Sequence, residues 1–102
     1  MMIENYLLEE LVAFAKYKTI SATAEHLSIT QPAVTRGMQK LEELLNVKLF
    51  NRTRNRITLT KTGELAAKEA EKILEMQQEF IEYVQNANKT HYQIKIYSTS
   101  PG

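Results

Sequence analysis

The first part of the chain shows apolar residues at the three- and four-residue spacing of an amphipathic helix. Between Ile3 and Tyr17 the members of this apolar stripe are Leu7, Leu8, Leu11, Phe14 and Ala15. A shorter helix is predicted over Ala22 to Leu27, after two residues that could cap it, Thr19 and Ser21. The pattern predicts two helices joined by a short link.

A third helix is predicted from Thr30 to Leu45, with its apolar stripe on one side and donor groups on the other. Thr30 can cap it through its hydroxyl, and Pro32 stands in the first turn, where a missing backbone N–H costs nothing. The apolar stripe is Val34, Met38, Leu41 and Leu45, and the polar face carries Gln31, Thr35, Arg36, Gln39 and Lys40. Amide, hydroxyl and guanidinium groups on an anchored helix can read base edges in a major groove. A solvated surface helix is the alternative.

Two short β-prone runs follow, Val47 to Phe50 and Ile57 to Leu59, and they predict a hairpin. Its tip is basic, with arginines at Arg52, Arg54 and Arg56. After a helix-turn-helix, such a hairpin can act as a wing that contacts phosphates or enters a minor groove. An ordinary solvated hairpin is the alternative.

A long helix is predicted from Lys61 to about Ala87, because Thr60 can cap it and Gly63, near its start, is its only glycine. Its a/d seam consists of Ala66, Ala70, Ile73, Gln77, Phe80 and Val84. A helix of about 26 residues extends about 40 Å, more than a domain this small can cover. We therefore expect a dimer interface along this seam.

The last stretch alternates around Ile94 and Ile96, which predicts a strand from Tyr92 to Tyr97 with no partner strand in the chain. The predicted fold class is mostly α: a winged helix-turn-helix of three helices and a two-stranded wing, then a long dimerisation helix and a short C-terminal strand. The expected divisions are a DNA-binding domain at residues 1–60, a linker helix at 61–89, and the start of a missing domain at 90–102.

Composition narrows the class of protein. A chain of 102 residues with 43% hydrophobic content can bury one modest core. The absence of cysteine excludes a disulfide framework and a thiolate-bound zinc. No apolar run approaches the roughly 20 residues of a membrane span, and Glu4 lies too early for a signal peptide. We expect a soluble cytoplasmic protein without a cofactor.

Positive charge is concentrated in the middle third of the chain. Residues 18–63 contain eight Lys or Arg and three Glu, a net charge of +5, although the whole chain carries only +1. The flanking segments are acidic, with a net charge of −2 for residues 1–17 and −3 for residues 64–89. The electrostatic footprint for phosphates therefore coincides with the third helix and the hairpin.

Five blocks of residues carry a resemblance to a known family. They are Ala24 with Leu27, Thr30 to Arg36, Leu41 with Glu42, Leu49 to Arg52, and Leu59 to Gly63. With these blocks at this spacing, the run from Leu8 to Gly63 resembles the N-terminal winged helix-turn-helix of LysR-type transcriptional regulators.

The resemblance implies a bacterial regulator that binds DNA as a dimer. Its long linker helices would pair across the dimer and present two recognition helices to a short inverted repeat. It also implies a missing C-terminal domain that binds a small-molecule effector. Ser98, Thr99 and Ser100 would then be candidate effector contacts, with a cut-off loop as the alternative.

Five positions depart from the family pattern. Lys18 and Thr19 replace the usual Gly-Ser, and Thr23 stands where alanine is usual. Gly37 replaces a polar residue inside the recognition helix, and Asn55 occupies a wing position that is commonly arginine. The last two bear on base preference and on the geometry of the wing.

The candidate DNA contacts divide into two groups. Gln31, Pro32, Thr35 and Arg36 are expected to approach base edges, with Gln31 suited to adenine and Arg36 to guanine or phosphate. The residues expected to contact the DNA backbone are Thr30, Gln39, Lys40, Arg52, Arg54 and Arg56.

Two other classes of protein were weighed against a DNA-binding regulator. An enzyme has little support, since His26 and His91 lie far apart and neither a His-x-x-x-His motif nor a Gly-rich phosphate loop occurs. A dimeric coiled-coil scaffold that does not bind DNA would use the long helix in the same way. It would ignore added duplex even at low salt.

Overall fold

Four helices and one two-stranded antiparallel sheet make up the chain. The structure is a computed structural model that describes the backbone of residues 1–97 and the side chains of residues 1–89. The elements are α1 (Asn5–Tyr17), α2 (Ile20–Leu27), α3 (Gln31–Leu45), β1 (Phe50–Thr53), β2 (Arg56–Leu59) and α4 (Lys61–Tyr97). The predicted winged helix-turn-helix, three helices followed by a hairpin and a long helix, is confirmed.

The core lies between α1 and the other elements, because α1 contacts α2, α3 and α4. The buried apolar residues of this core are Leu7, Leu11, Phe14, Ala24, Val34, Met38, Leu41, Leu49, Phe50, Ala67 and Ala70. Phe14 of α1 meets Phe50 of β1 edge to face, with ring centroids 5.6 Å apart. The wing is therefore anchored to the helical core at its first residue.

Threonine hydroxyls cap α2 and α3. The Thr19 hydroxyl accepts a hydrogen bond from the Ala22 N–H at 3.0 Å, so Thr19 rather than Ser21 begins the second helix. The Thr30 hydroxyl accepts from the Ala33 N–H at 3.2 Å. Both bonds satisfy donors that a helix start leaves unpaired, which fixes where α3 begins relative to α2.

The carboxylate of Glu42 ties α3 to the wing. One of its oxygens accepts hydrogen bonds from the N–H groups of Leu49, at 2.8 Å, and Phe50, at 3.0 Å. These donors are thereby withheld from a strand partner, and the first strand begins only at Phe50. The predicted strand from Val47 to Phe50 was placed three residues too early, because apolar content alone does not show where ladder pairing starts.

The wing is a hairpin with a two-residue turn. Phe50 pairs with Leu59 and Thr53 with Arg56, which leaves residues 54 and 55 at the tip. The Thr53 hydroxyl donates to the Arg56 carbonyl at 3.1 Å and closes the turn. The register places the basic tip at the far end of the hairpin from the buried Phe50.

The start of α4 is held against the segment before the wing. The Thr60 hydroxyl accepts from the Gly63 N–H and donates to the Lys48 carbonyl, both at 2.9 Å. A Cβ atom on Gly63 would overlap the carbonyl oxygen of Leu49. Glycine is required here because a backbone, rather than a movable side chain, occupies the space.

The long helix extends further than predicted. It runs from Lys61 to Tyr97, 37 residues or about 55 Å, so the predicted strand from Tyr92 to Tyr97 is wrong. The polar residues 86–90 lower helix propensity by only tenths of a kcal/mol each, and no glycine or proline follows Gly63 within α4. A helix already formed continues through such residues, whereas a strand needs a neighbour. The candidate effector contacts Ser98, Thr99 and Ser100 lie outside the described residues.

None of the helices described by the structure combines the length and the apolar character that crossing a bilayer requires. This holds even for α4, whose polar residues recur along its length.

Alanine substitutions at Gly63 and Gly37 test whether the start of α4 requires a glycine. We expect Gly63→Ala to lower the free energy of unfolding by about 1–3 kcal/mol, because the backbone of Leu49 must move to admit the methyl group. At Gly37 the overlapping atoms belong to the Glu10 side chain, which can swing away, so Gly37→Ala should cost little or stabilise. Urea unfolding at pH 8 and equal protein concentration compares the two. Equal destabilisation by both substitutions would contradict this account.

Candidate nucleic-acid interface

The N-terminal turn of α3 presents its donor groups to solvent. Gln31, Pro32 and Arg36 are exposed and Thr35 is half-buried, while the apolar stripe on the opposite side lies in the core. The cap by Thr30 holds this turn in place. A rigid helix end with free amide and guanidinium groups has the shape and the donors needed to enter a major groove.

The second half of α3 lies beside the first strand of the wing. Gln39 and Arg52 line one shallow depression together with Glu42 and Lys48. The structure therefore brings together two predicted contacts that are 13 positions apart in the sequence. Lys48 joins them as a basic residue that sequence reasoning did not select, although it belongs to the same positively charged third of the chain.

The tip of the wing lies beside the start of α2. Arg54 and Arg56 line a groove that also contains Lys18 and Thr19. Lys18 was noted only as a departure from the family pattern, and the structure adds it to the basic surface. It ends α1 in the left-handed conformation, with φ 73°, which directs the chain into α2.

Lys40 differs from the other predicted contacts because its ammonium already has a partner. It donates a hydrogen bond to the Glu4 carboxylate at 3.1 Å, which joins α3 to the residue before α1. That hydrogen bond and the Glu4 charge raise the pKa of Lys40 above its usual value. Lys40 is therefore directed towards α1, while Gln39 next to it is directed towards the wing.

Glu10 is a buried carboxyl group at the back of the recognition helix. It is 5% exposed, and its Oε1 atom has no hydrogen-bond partner among the described residues. The carboxyl group lies in the space that a Cβ atom on Gly37 would occupy. Burial, and secondarily the charge of Glu9, raise the pKa of Glu10 from 4.5 to about 7.

Some residues of the predicted dimer seam along α4 pack within the chain, and others are exposed. Ala70 is only 2% exposed and belongs to the core of its own chain, so its place in a dimer interface stays a prediction. Ala66 is half-buried against the same core, and Gln77 exchanges amide hydrogen bonds with Asn5 of α1. The periodicity of an a/d seam cannot tell a partner helix from a helix of the same chain.

Three apolar residues of the seam are exposed in the described part of the chain. Ile73, Phe80 and Val84 are 44%, 67% and 47% exposed. Other exposed apolar residues on α4 are Leu65, Met76, Ile81 and Tyr83. Large apolar side chains exposed in a continuous row mark a surface that binds another protein.

An exposed donor-rich helix, a basic hairpin beside it and a long helix behind them define a DNA-binding protein of the winged helix-turn-helix class. Comparison with known proteins agrees. Residues 6–64 match the family described as bacterial regulatory helix-turn-helix protein, lysR family. The chain belongs to this family, whose members are transcriptional regulators rather than enzymes.

Individual relatives and structures show the same likeness. The chain is 36% identical over 84 residues to an uncharacterized HTH-type transcriptional regulator, YbhD, of Escherichia coli strain K12. The match covers 82% of this chain and 26% of that protein, so the chain spans about a quarter of its length.

Solved structures similar to this chain include complexes with DNA. A complex of CbnR_DBD with DNA is similar with a TM-score of 0.80 and 32% identity, covering 84% of this chain and 99% of that one. Vibrio fischeri DarR in complex with DNA gives a TM-score of 0.79 and 29% identity, covering 87% of this chain and 30% of that one.

The raised pKa of Glu10 makes folding stability depend on pH. Between pH 4.5 and 7 the folded chain holds a proton that the unfolded chain has lost, so stability falls as pH rises and is level above pH 7. Glu10→Gln removes this penalty. We expect its free energy of unfolding to exceed that of the wild type by roughly 1–3 kcal/mol more at pH 8 than at pH 4.5. Urea titrations across this range measure the difference, and a difference that does not change with pH would contradict the burial argument.

Proposed function

We propose that the chain is the DNA-binding and dimerising part of a transcriptional regulator that binds an inverted-repeat operator as a dimer. The single observation that carries this proposal is the exposed, donor-rich N-terminal turn of α3, held by the Thr30 cap and flanked by the basic wing. The structures of similar proteins in complex with DNA support it.

Base recognition is assigned to four residues of α3. Gln31, Pro32, Thr35 and Arg36 share its first two turns, and three of them are exposed. A glutamine amide matches the two hydrogen-bonding atoms of adenine, and a guanidinium group matches those of guanine. This surface supplies discrimination between sequences.

Backbone contacts are assigned to the residues around α3 that carry donors or positive charge. The predicted set is Thr30, Gln39, Lys40, Arg52, Arg54 and Arg56, and the structure adds Lys18 and Lys48 as neighbours of the wing. Each phosphate contact releases counterions, so it contributes affinity that falls with salt and does not depend on sequence. Lys40 would have to exchange its bond with Glu4 for a phosphate.

The dimer is assigned to the apolar side of α4 that carries Ile73, Phe80 and Val84, which are exposed. Pairing of these residues with a second copy would remove their apolar surface from water and fix the distance between two recognition helices. The continuation of the protein as an effector-binding domain beyond α4 is part of the proposal. So are a small-molecule effector for that domain and a cytoplasmic location with access to DNA.

Selection of bound sequences from a random duplex pool, repeated at two salt concentrations, tests the function. An inverted repeat should be enriched, and affinity for an unselected duplex should fall steeply with salt. A coiled-coil scaffold that does not bind DNA would enrich no sequence and would show no binding at low salt, which would overturn the proposal.

The wing can be tested by its salt dependence. We expect Arg52→Ala to weaken binding to selected and unselected duplexes alike, and to reduce the slope of log affinity against log salt by about one if the side chain contacts one phosphate. Lys72→Ala is the matched control, because Lys72 pairs with Glu69 on α4 outside the proposed interface. Fluorescence anisotropy over a salt series measures both, and equal slopes in the two variants would place Arg52 off the DNA.

The dimer surface can be tested at Phe80. We expect Phe80→Asp to weaken self-association at least about tenfold, because a carboxylate would be buried in an apolar contact, while Phe80→Leu keeps the dimer. Affinity for a duplex with two half-sites should fall with dimerisation, and affinity for one half-site should not. Sedimentation of all three proteins gives the result. A dimer that tolerates aspartate would assign the interface to other residues.

A further inference from the structure

A cleft between α1 and α3 lies behind the recognition helix, and it includes two of the residues assigned to DNA, Arg36 and Lys40. Its polar and glycine lining consists of Tyr6, Glu9, Glu10, Arg36, Gly37 and Lys40. Glu10 is the member without an exposed carboxyl group, since the residue is 5% exposed and one oxygen is fully buried without a partner. An unpaired buried carboxyl group is costly when ionised and much less so when protonated.

We propose that Glu10 is a positioning residue for the recognition helix, and that the seating of its carboxyl group over Gly37 makes DNA affinity depend on pH near neutrality. This inference rests on the proposed function, because its readout is binding to duplex.

The absence of a side chain on Gly37 creates the space that the carboxyl group fills. A methyl group there would overlap Oε1 of Glu10, so the two residues are complementary in shape. Glycine in a helix interior costs about 1 kcal/mol relative to alanine, and Gly37 is buried rather than placed on the DNA side. The contact joins α1 directly to the helix that reads bases.

The groups around the carboxyl do not neutralise its charge. On α1, Tyr6 and Glu9 face the cleft, and on α3, Arg36 and Lys40 face it. Lys40 is paired with Glu4, and neither basic residue forms an ion pair with Glu10 in the part of the chain that the structure describes. The link between α2 and α3 contributes only apolar side chains to this cleft, from Leu27 and Ile29.

Ionisation of Glu10 therefore opposes DNA binding in two ways. The ionised carboxylate lies at Gly37, the residue next to Arg36, and its negative charge repels the DNA phosphates. Ionisation also makes the buried position over Gly37 unfavourable for the carboxyl group. Phosphates conversely favour the protonated form, so binding is coupled to uptake of a proton. Affinity should rise as pH falls from 8 to 6, by about fivefold at low salt.

The experiment compares three proteins on one probe, a 25-base-pair duplex of mixed sequence, at constant ionic strength and pH 6, 7 and 8. We expect Glu10→Gln to lose most of the rise in affinity that the wild type shows. Glu9→Gln, which removes an equal charge from the exposed neighbour, should keep it. His26 and His91 are present in all three proteins, so their titration contributes equally and the difference between the proteins reports Glu10.

Gly37→Ala tests the same inference without changing the charge. The added methyl group should displace the carboxyl group into water, which returns its titration to the range of an ordinary glutamate and removes its part of the pH dependence. The carbon-13 shift of Glu10 Cδ against pH should show a midpoint near 7 in the wild type and below 5 in Gly37→Ala. A midpoint that stays near 7 in Gly37→Ala would show that the contact with Gly37 is not what raises it.

The outcomes separate the inference from the proposed function. If none of the proteins binds the duplex at any pH, the proposed function fails. The carbon-13 titration still tests whether the Glu10 carboxyl group is buried over Gly37. If the duplex is bound but wild type and Glu10→Gln show the same pH profile, the inference is overturned. A Glu10 midpoint near 4.5 in the wild type overturns it as well.

Discussion

Packing around α1 is the constraint on which the rest of the structure depends. This helix contacts the three other helices, and its Phe14 also meets Phe50 at the start of the wing. Because Val34, Met38 and Leu41 must face this core, the opposite side of α3 faces solvent. The residues proposed to read bases are thus exposed because the apolar side of α3 is buried, and no contact of their own is needed to expose them.

Polar contacts then determine at which residue the later helices and the wing begin. Threonine hydroxyls begin α2, α3 and α4, and the Glu42 carboxylate holds the chain entering the wing. The basic surface depends on these contacts, since its members come from the start of α2, from α3 and from the hairpin. Basic residues that are spread along the sequence form a continuous basic surface only once these hydrogen bonds have formed.

The sequence predicted well what depends on periodicity and local chemistry. The four helices, the cap at Thr30 and the basic hairpin follow from patterns within a few residues of each other. It could not show what depends on a distant partner: Glu42 determines where β1 begins, and α1 covers the part of α4 that contains Ala70. The segment from Tyr92 to Tyr97 is helical despite its local preference for strand, and among the described residues the only sheet is formed by β1 and β2.

The role of Gly37 could not be predicted from its neighbours in sequence. A glycine inside a helix signals a loss of stability or a close approach, and only the position of Glu10, 27 residues earlier, shows which. The spacing of residues in the first helix does not indicate that the Glu10 carboxyl group is buried. Its burial was visible only once α1 and α3 were packed together.

The paired amides of Asn5 and Gln77 have a mechanical consequence. Together with the buried Ala70, they hold the first part of α4 against α1. The winged helix-turn-helix and this part of α4 therefore move as one rigid body. In the proposed dimer, a torque applied to the distal end of α4 would be transmitted to both DNA-binding domains. The angle at which the two α4 helices cross would then set the distance between the domains and the length of duplex that they contact together.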